Sequence, residues 1–192
     1  MSYASYTLSG RQANLYGLLF VVPFLILTFV PYLIIWCDLN DNSLQGLLLQ
    51  IVRLNMPVIR QVIDLKWLVL LLFLAGVMLH EIIHGICMAA FAKNGWKSVK
   101  FGFNIKAFAP YAHCKEPLSP FGYKISLAMP GMILGDIPMI ISWCTGNIMF
   151  LLFGFFFYIA ASGDLVLLWM SRNITDGMLQ DHAEKIGFEH IE

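Results

Sequence analysis

Charge is what this chain has least of: 12% of its 192 residues are Asp, Glu, Lys or Arg, where an average soluble domain carries roughly 25%. With 59% hydrophobic residues beside so little charge, an ordinary water-soluble domain is excluded. The charges that exist cancel, so the total offers nothing to a nucleic acid and no polybasic surface. Cysteine is sparse too. Cys37, Cys87, Cys114 and Cys144 lie far apart with no CxxC spacing, and they read as packed thiols rather than a disulfide framework. Internal repeats, low-complexity tracts and hinge-like linkers are absent, which points to one domain over residues 1–192.

Long apolar runs are what the chain has in abundance. Crossing a bilayer takes about 20 mostly apolar residues, and four stretches qualify: 14–36, Trp67 to Ala92, Tyr123 to Trp143, and Asn147 to Met170. The first is too long for a signal-peptide core and no small-residue cleavage site follows it, so it is expected to stay in the mature protein. The third holds Pro130, Gly131 and Pro138 and is expected to be kinked or broken. Trp, Tyr or Lys closes each run at one end or both, as interfacial anchoring favours.

Lysine asymmetry orients the runs. Lys93, Lys97, Lys100, Lys106 and Lys115 lie between the second and third, Lys124 follows, and Glu116 is the single acid among them. Cytoplasmic loops collect such cations, so this loop and both termini are expected in the cytoplasm. The outer loop, 37–66, has loose helical spacing interrupted by Pro57 and is expected to lie as a helix in the interface, with a fifth, re-entrant element as the alternative. Residues 97–114, "KSVKFGFNIKAFAPYAHC", alternate polar and apolar side chains, which predicts a short β-hairpin at the membrane surface. The polar tail from Ser171 carries "DHAEKIGF", apolar enough to dock back on the body. The expected fold class is an α-helical integral membrane protein of about four spans, with a small cytoplasmic-side β-hairpin and an interfacial outer-loop helix.

Within the second run stands His80-Glu81-Ile82-Ile83-His84. Four residues advance a helix by about 400°, so both imidazoles share one face and reach a single ion, while Glu81 can contact a water on it. In this HExxH arrangement zinc lowers the pKa of its water to about 7 and the glutamate takes the proton. Charged groups at membrane depth cost about 2.5–3.5 kcal/mol each on insertion scales. A bound cation offsets that cost.

Catalytic zinc takes three protein ligands and keeps one position open. The candidates for the third are Asp136, Asp164 and His113. Counted from the outer ends at about 1.5 Å per residue, His80, His84 and Asp164 lie roughly 20, 25 and 25 Å deep, whereas Asp136 lies roughly 10 Å from the outer face. Asp164 is level with the histidines; Asp136 is the second choice and reads otherwise as a partner for backbone freed near Pro138. Ser162, Gly163 and Gly85 are small residues that would let the fourth helix approach the second. His113 reads as a surface residue, or alternatively as a donor to the oxyanion or substrate backbone. His182 and His190 read as solvated.

HEIIHG in a membrane helix, "AHCKEPLSPFGYKISLAMPGMILGDIP" after it, "SGDLVLLW" in a later helix and a closing "DHAEKIGFE" together resemble the zincin-peptidase family of small bacterial membrane proteins, distantly similar to site-2 intramembrane zinc metalloproteases. The resemblance implies that His80, His84 and Asp164 hold zinc and that Glu81 is the catalytic base. One departure is visible: those proteases place the aspartate in an Asp-Gly pair, whereas here Gly163 precedes Asp164.

These residues lead to the expectation of a zinc-dependent intramembrane peptidase. It would hold one Zn2+ at His80, His84 and Asp164, use Glu81 on the water, and cut a membrane protein or peptide in the bilayer near the cytoplasmic face, with no nucleic-acid partner. Two other classes compete. A metal-binding membrane protein without turnover, such as a pseudoprotease or regulator, shares every ligand and needs no base. A metal or proton transporter would want polar residues continuing to both faces, and the outer halves of the second and fourth runs are almost purely apolar.

Overall fold

The computed structural model describes residues 3–37, 44–105, 109–182 and 185–192. Strand β1 (Tyr3–Leu8) leads into helix α1 (Gly10–Trp36), which starts at a capping box: the Ser9 hydroxyl accepts from the Gln12 amide at 3.3 Å, and the Gln12 side chain accepts from the Ser9 amide at 3.0 Å. Helix α2 (Leu44–Asp64) follows, running unbroken through Pro57 where the sequence predicts an interruption. The beginning of the expected outer loop, with Asp38 and Asp41, lies outside the described residues. Helix α3 (Lys66–Phe91) carries the histidines. A 3-10 turn (Gly95–Ser98) then opens the expected hairpin of β2 (Val99–Asn104) and β3 (Ala109–Cys114), paired antiparallel from Val99↔Cys114 to Asn104↔Ala109. Residues 106–108, Lys106 included, lie outside the described residues.

The third run forms α4 (Pro120–Pro130), a π-helical turn (Gly131–Asp136) and α5 (Ile137–Thr145). Its prolines break the helical register without ending the helix, so Pro120–Thr145 remains long and apolar enough to cross a membrane, as do Gly10–Trp36 and Lys66–Phe91. The fourth run, expected as a span over Asn147 to Met170, is not one continuous helix. It divides into α6 (Ile148–Ala160) and α7 (Ser162–Ser171), bent by 53°. No proline marks the break; Ala161 donates back to Phe157 and Ile159, closing α6 before α7 begins. The lateral faces of α1 and α3 expose Leu18, Leu19, Leu71 and Leu74, side chains that water would disfavour and lipid tails would not.

Strands β4 (Met178–Asp181) and β5 (Ile186–Ile191) complete an antiparallel sheet in the order β1-β5-β4. The tail therefore docks as expected, and it docks on a strand that sequence patterning did not reveal. Gly187 has φ 151° and opposes Thr7, and a Cβ there would strike the Tyr6 carbonyl, so only glycine lets β1 approach this closely. Leu118 and Leu179 exchange backbone hydrogen bonds of 2.8 and 2.7 Å, tying the sheet to the start of α4. Beneath lies a core of Met88, Leu118, Tyr123, Leu127, Leu179 and Phe188. Both sheets and both described ends of the chain thus gather at one end of the helices, where α3 finishes and α4 starts. Cys37, Cys87 and Cys114 are buried free thiols and Cys144 an exposed one.

Candidate metal centre

Helical periodicity puts His80 and His84 on one face of α3, both buried, with ring centroids 4.9 Å apart. Asp164 stands in the first turn of α7. Its Oδ2 lies 3.2 Å from His80 Nε2 and 3.3 Å from His84 Nε2. One ligand atom from each of the three falls within 4.8 Å of the others, and among the described residues no other group of His, Cys, Asp and Glu converges in this way. Asp136 closes the π-helical turn outside this trio.

The helix seam expected from small residues is built differently. A Cβ on Gly163 would meet nothing within 4 Å, and the space beside Gly85 is filled by the Phe101 ring of β2. Ser162 instead packs on Gly17 of α1, its hydroxyl 3.4 Å from where a Cβ would stand. Helix α7 leans on α1 and α4, and the 53° bend points its first turn, with Asp164, at the histidines.

His84 Nδ1 lies 2.8 Å from the Ser126 carbonyl oxygen. A carbonyl only accepts, so Nδ1 carries the hydrogen, and a neutral His84 turns its bare Nε2 lone pair toward the Asp164 oxygen. Two lone pairs so placed repel unless a proton or a cation lies between them. Two imidazole nitrogens and one carboxylate are a set that zinc accepts. The residues therefore fit the ion.

Glu81 faces the same cavity, of about 320 Å³, but does not join the trio. Its Oε2 accepts the Ala112 amide of β3 at 2.7 Å. Asp181, at the end of β4, also lines the cavity; its Oδ1 accepts from the Tyr123 hydroxyl at 2.8 Å and its Oδ2 is 3.9 Å from His113 Nδ1. Burial holds the Asp181 carboxyl above the ordinary carboxylate range. His113 lines a neighbouring groove rather than the cavity around the trio. His182, expected in solvent, borders the cavity. His190, also expected in solvent, is buried with Nε2 3.0 Å from the Asp176 carbonyl.

Sequence reasoning missed Ser126, Ala112, Asp181 and Tyr123. The first two act through backbone atoms, which side-chain patterns do not advertise; Asp181 sits in a tail brought over the cavity only by its sheet. No curated protein and no solved structure matches the chain. Residues 73–178, more than half of its length and running from the third helix through the start of β4, match the family described as "Putative zincin peptidase", and the chain belongs to that family.

Proposed function

We propose that this protein is a zinc-dependent intramembrane peptidase. The observation that carries the reading is the convergence of His80, His84 and Asp164 on one point, with a second carboxylate, Glu81, facing the same cavity. Zinc at that point would supply a Lewis acid that polarises the scissile carbonyl and acidifies water. Glu81 takes the proton of the attacking water and passes it to the leaving amine. Membership of the zincin family and helices able to cross a membrane support a peptidase working in lipid.

A membrane helix hides its carbonyls, so the substrate must unwind, and the hairpin offers an extended template by strand addition. Ala112 opposes Phe101 in the register, yet its amide points to Glu81 rather than to β2. A substrate carbonyl that takes this amide releases the glutamate at the moment the peptide is seated. The bias of Lys93, Lys97, Lys100 and Lys115 toward this end supports a cytoplasmic location for it, with the product a fragment freed to that side.

The decisive experiment compares Glu81→Gln with the parent, each purified with zinc and assayed against a panel of membrane peptides. Cleavage should fall by about 10²–10⁴ with zinc content unchanged. Equal cleavage by both would remove Glu81 from its role, and a zinc-loaded parent that cuts nothing on the panel would favour the metal-binding protein without turnover.

A further inference from the structure

The hydrogen bond that fixes His84 depends on a carbonyl that helix α4 ought to have used itself. In an α-helix the Ser126 carbonyl accepts from the amide four residues on. That residue is Pro130, which has no amide hydrogen. The next donor along, the Gly131 amide, turns back three residues to the Ala128 carbonyl. The serine's own hydroxyl bonds to the Gly122 carbonyl at 2.8 Å, one turn earlier. The Ser126 carbonyl is thus left without a donor from its own helix, although the serine is fully buried. His84 Nδ1 takes that place at 2.8 Å.

We propose that Pro130 is a positioning residue of the metal centre: by withholding one amide hydrogen, it reserves the Ser126 carbonyl for His84 and thereby holds the imidazole in the tautomer that presents Nε2 to the ion. This rests on the metal reading of the trio and adds to it a residue in the third span that touches none of the ligands' coordinating atoms. The local backbone makes the device specific. Pro130 has φ −62° and ψ −44° and Gly131 φ −60° and ψ −43°, both right-handed helical, so an alanine fits at 130 without strain and its restored amide points along the axis at Ser126. The wide turn that follows, with the Ile137 amide reaching five residues back to Met132, takes up the register change and lets the span continue.

His80 provides an internal contrast. Its Nδ1 is buried and has no hydrogen-bond partner among the described residues. Both imidazoles meet Asp164 through Nε2, but only His84 also has its Nδ1 bonded to a neighbouring span. Pro138 provides the control: it lies in the same run and also lacks an amide, but it opens α5, and the carbonyl four residues before it belongs to Leu134, which no histidine meets among the described hydrogen bonds.

The test uses full-length protein in detergent, with zinc affinity read by chelator competition for the parent, Pro130→Ala and Pro138→Ala. Loss of an outer partner of a metal-bound histidine weakens binding by about 10–100-fold, and that drop is expected for Pro130→Ala, with Pro138→Ala within about twofold of the parent. The second readout is nitrogen-15 NMR of histidine-labelled, metal-free protein. At a pH alkaline enough to leave the imidazole neutral, the parent should show His84 as the Nδ1–H tautomer, and Pro130→Ala a mixture of both. Parental zinc affinity in Pro130→Ala, an equal loss in Pro138→Ala, or an Nε2–H tautomer in the parent would each overturn the proposal. The last holds even if Pro130→Ala fails to fold. A parent that binds no zinc would instead sink the metal reading, and the two tautomer spectra would still decide the role of Pro130.

Discussion

The two ends of the helices are held by different chemistry. At the end away from the strands, neutral donors are spent on backbone carbonyls: the Tyr32 hydroxyl on Gly146 at 2.7 Å, the Trp36 indole on Trp143 at 3.0 Å, and the Trp143 indole on Thr28 at 3.0 Å. Asn55 from α2 joins this set, its amide nitrogen donating to the Ile51 carbonyl and its oxygen meeting Tyr32. At the strand end, Glu81, Asp164 and Asp181 face one cavity, and the donors they use come from a histidine, an edge amide and a tyrosine. In the first arrangement the donors named are all taken up by acceptors of the protein itself. The second keeps lone pairs and an edge amide where an ion and an extended peptide could take them over, which is what a reacting site requires.

The largest effect that would break this comparison comes from the ligands. Zinc should be lost from purified Asp164→Ala and retained by Asp136→Ala, because among the described residues only Asp164 brings a carboxylate oxygen to both imidazoles. Metal analysis after gel filtration reads it directly, and zinc persisting without Asp164 would move the third ligand elsewhere.

The next effect belongs to the opposite end. Tyr32→Phe removes the donor to the Gly146 carbonyl in a position only 1% exposed, and a buried group left without its partner costs about 1–3 kcal/mol. Its thermal midpoint in detergent should fall while zinc affinity stays at the parental value. If affinity falls in step, the two ends are one cooperative unit and the contrast drawn above is wrong.

How much of this was legible in the sequence differs along the same line. The histidine pair was legible because helical periodicity alone sets its face, and counting residues to a common depth brought Asp164 level with it. The hairpin was legible from its alternation. Strand β1 was not, because its partner β5 lies at the other end of the chain, and no local pattern announces so distant a pairing. The bend before Asp164 had no proline to signal it. Gly85 misled: a gap read as a seam between helices holds the Phe101 ring. Pro130 was seen as a break in a span, but its consequence lies four residues earlier, on a carbonyl.

The smallest predicted effect sharpens the chemistry of the strand end. Asp181 meets the Tyr123 hydroxyl and His113, with His84 and Asp164 acting on it from further away. Burial raises its carboxyl more than the Tyr123 hydrogen bond and the histidines lower it. A carboxyl that binds its proton more tightly folded than unfolded adds stability in acid, and that contribution is lost as pH rises from the ordinary carboxylate value through the raised one. Asp181→Asn has no such titration. In metal-free protein, its thermal midpoint relative to the parent should therefore climb across that interval and level off above it. Because the Asp181 side chain keeps 23% of its surface accessible, the climb should be modest. A parent that instead gains on the variant as pH rises would mean that the pairing with His113 outweighs burial, and that this carboxylate is held charged beside the cavity.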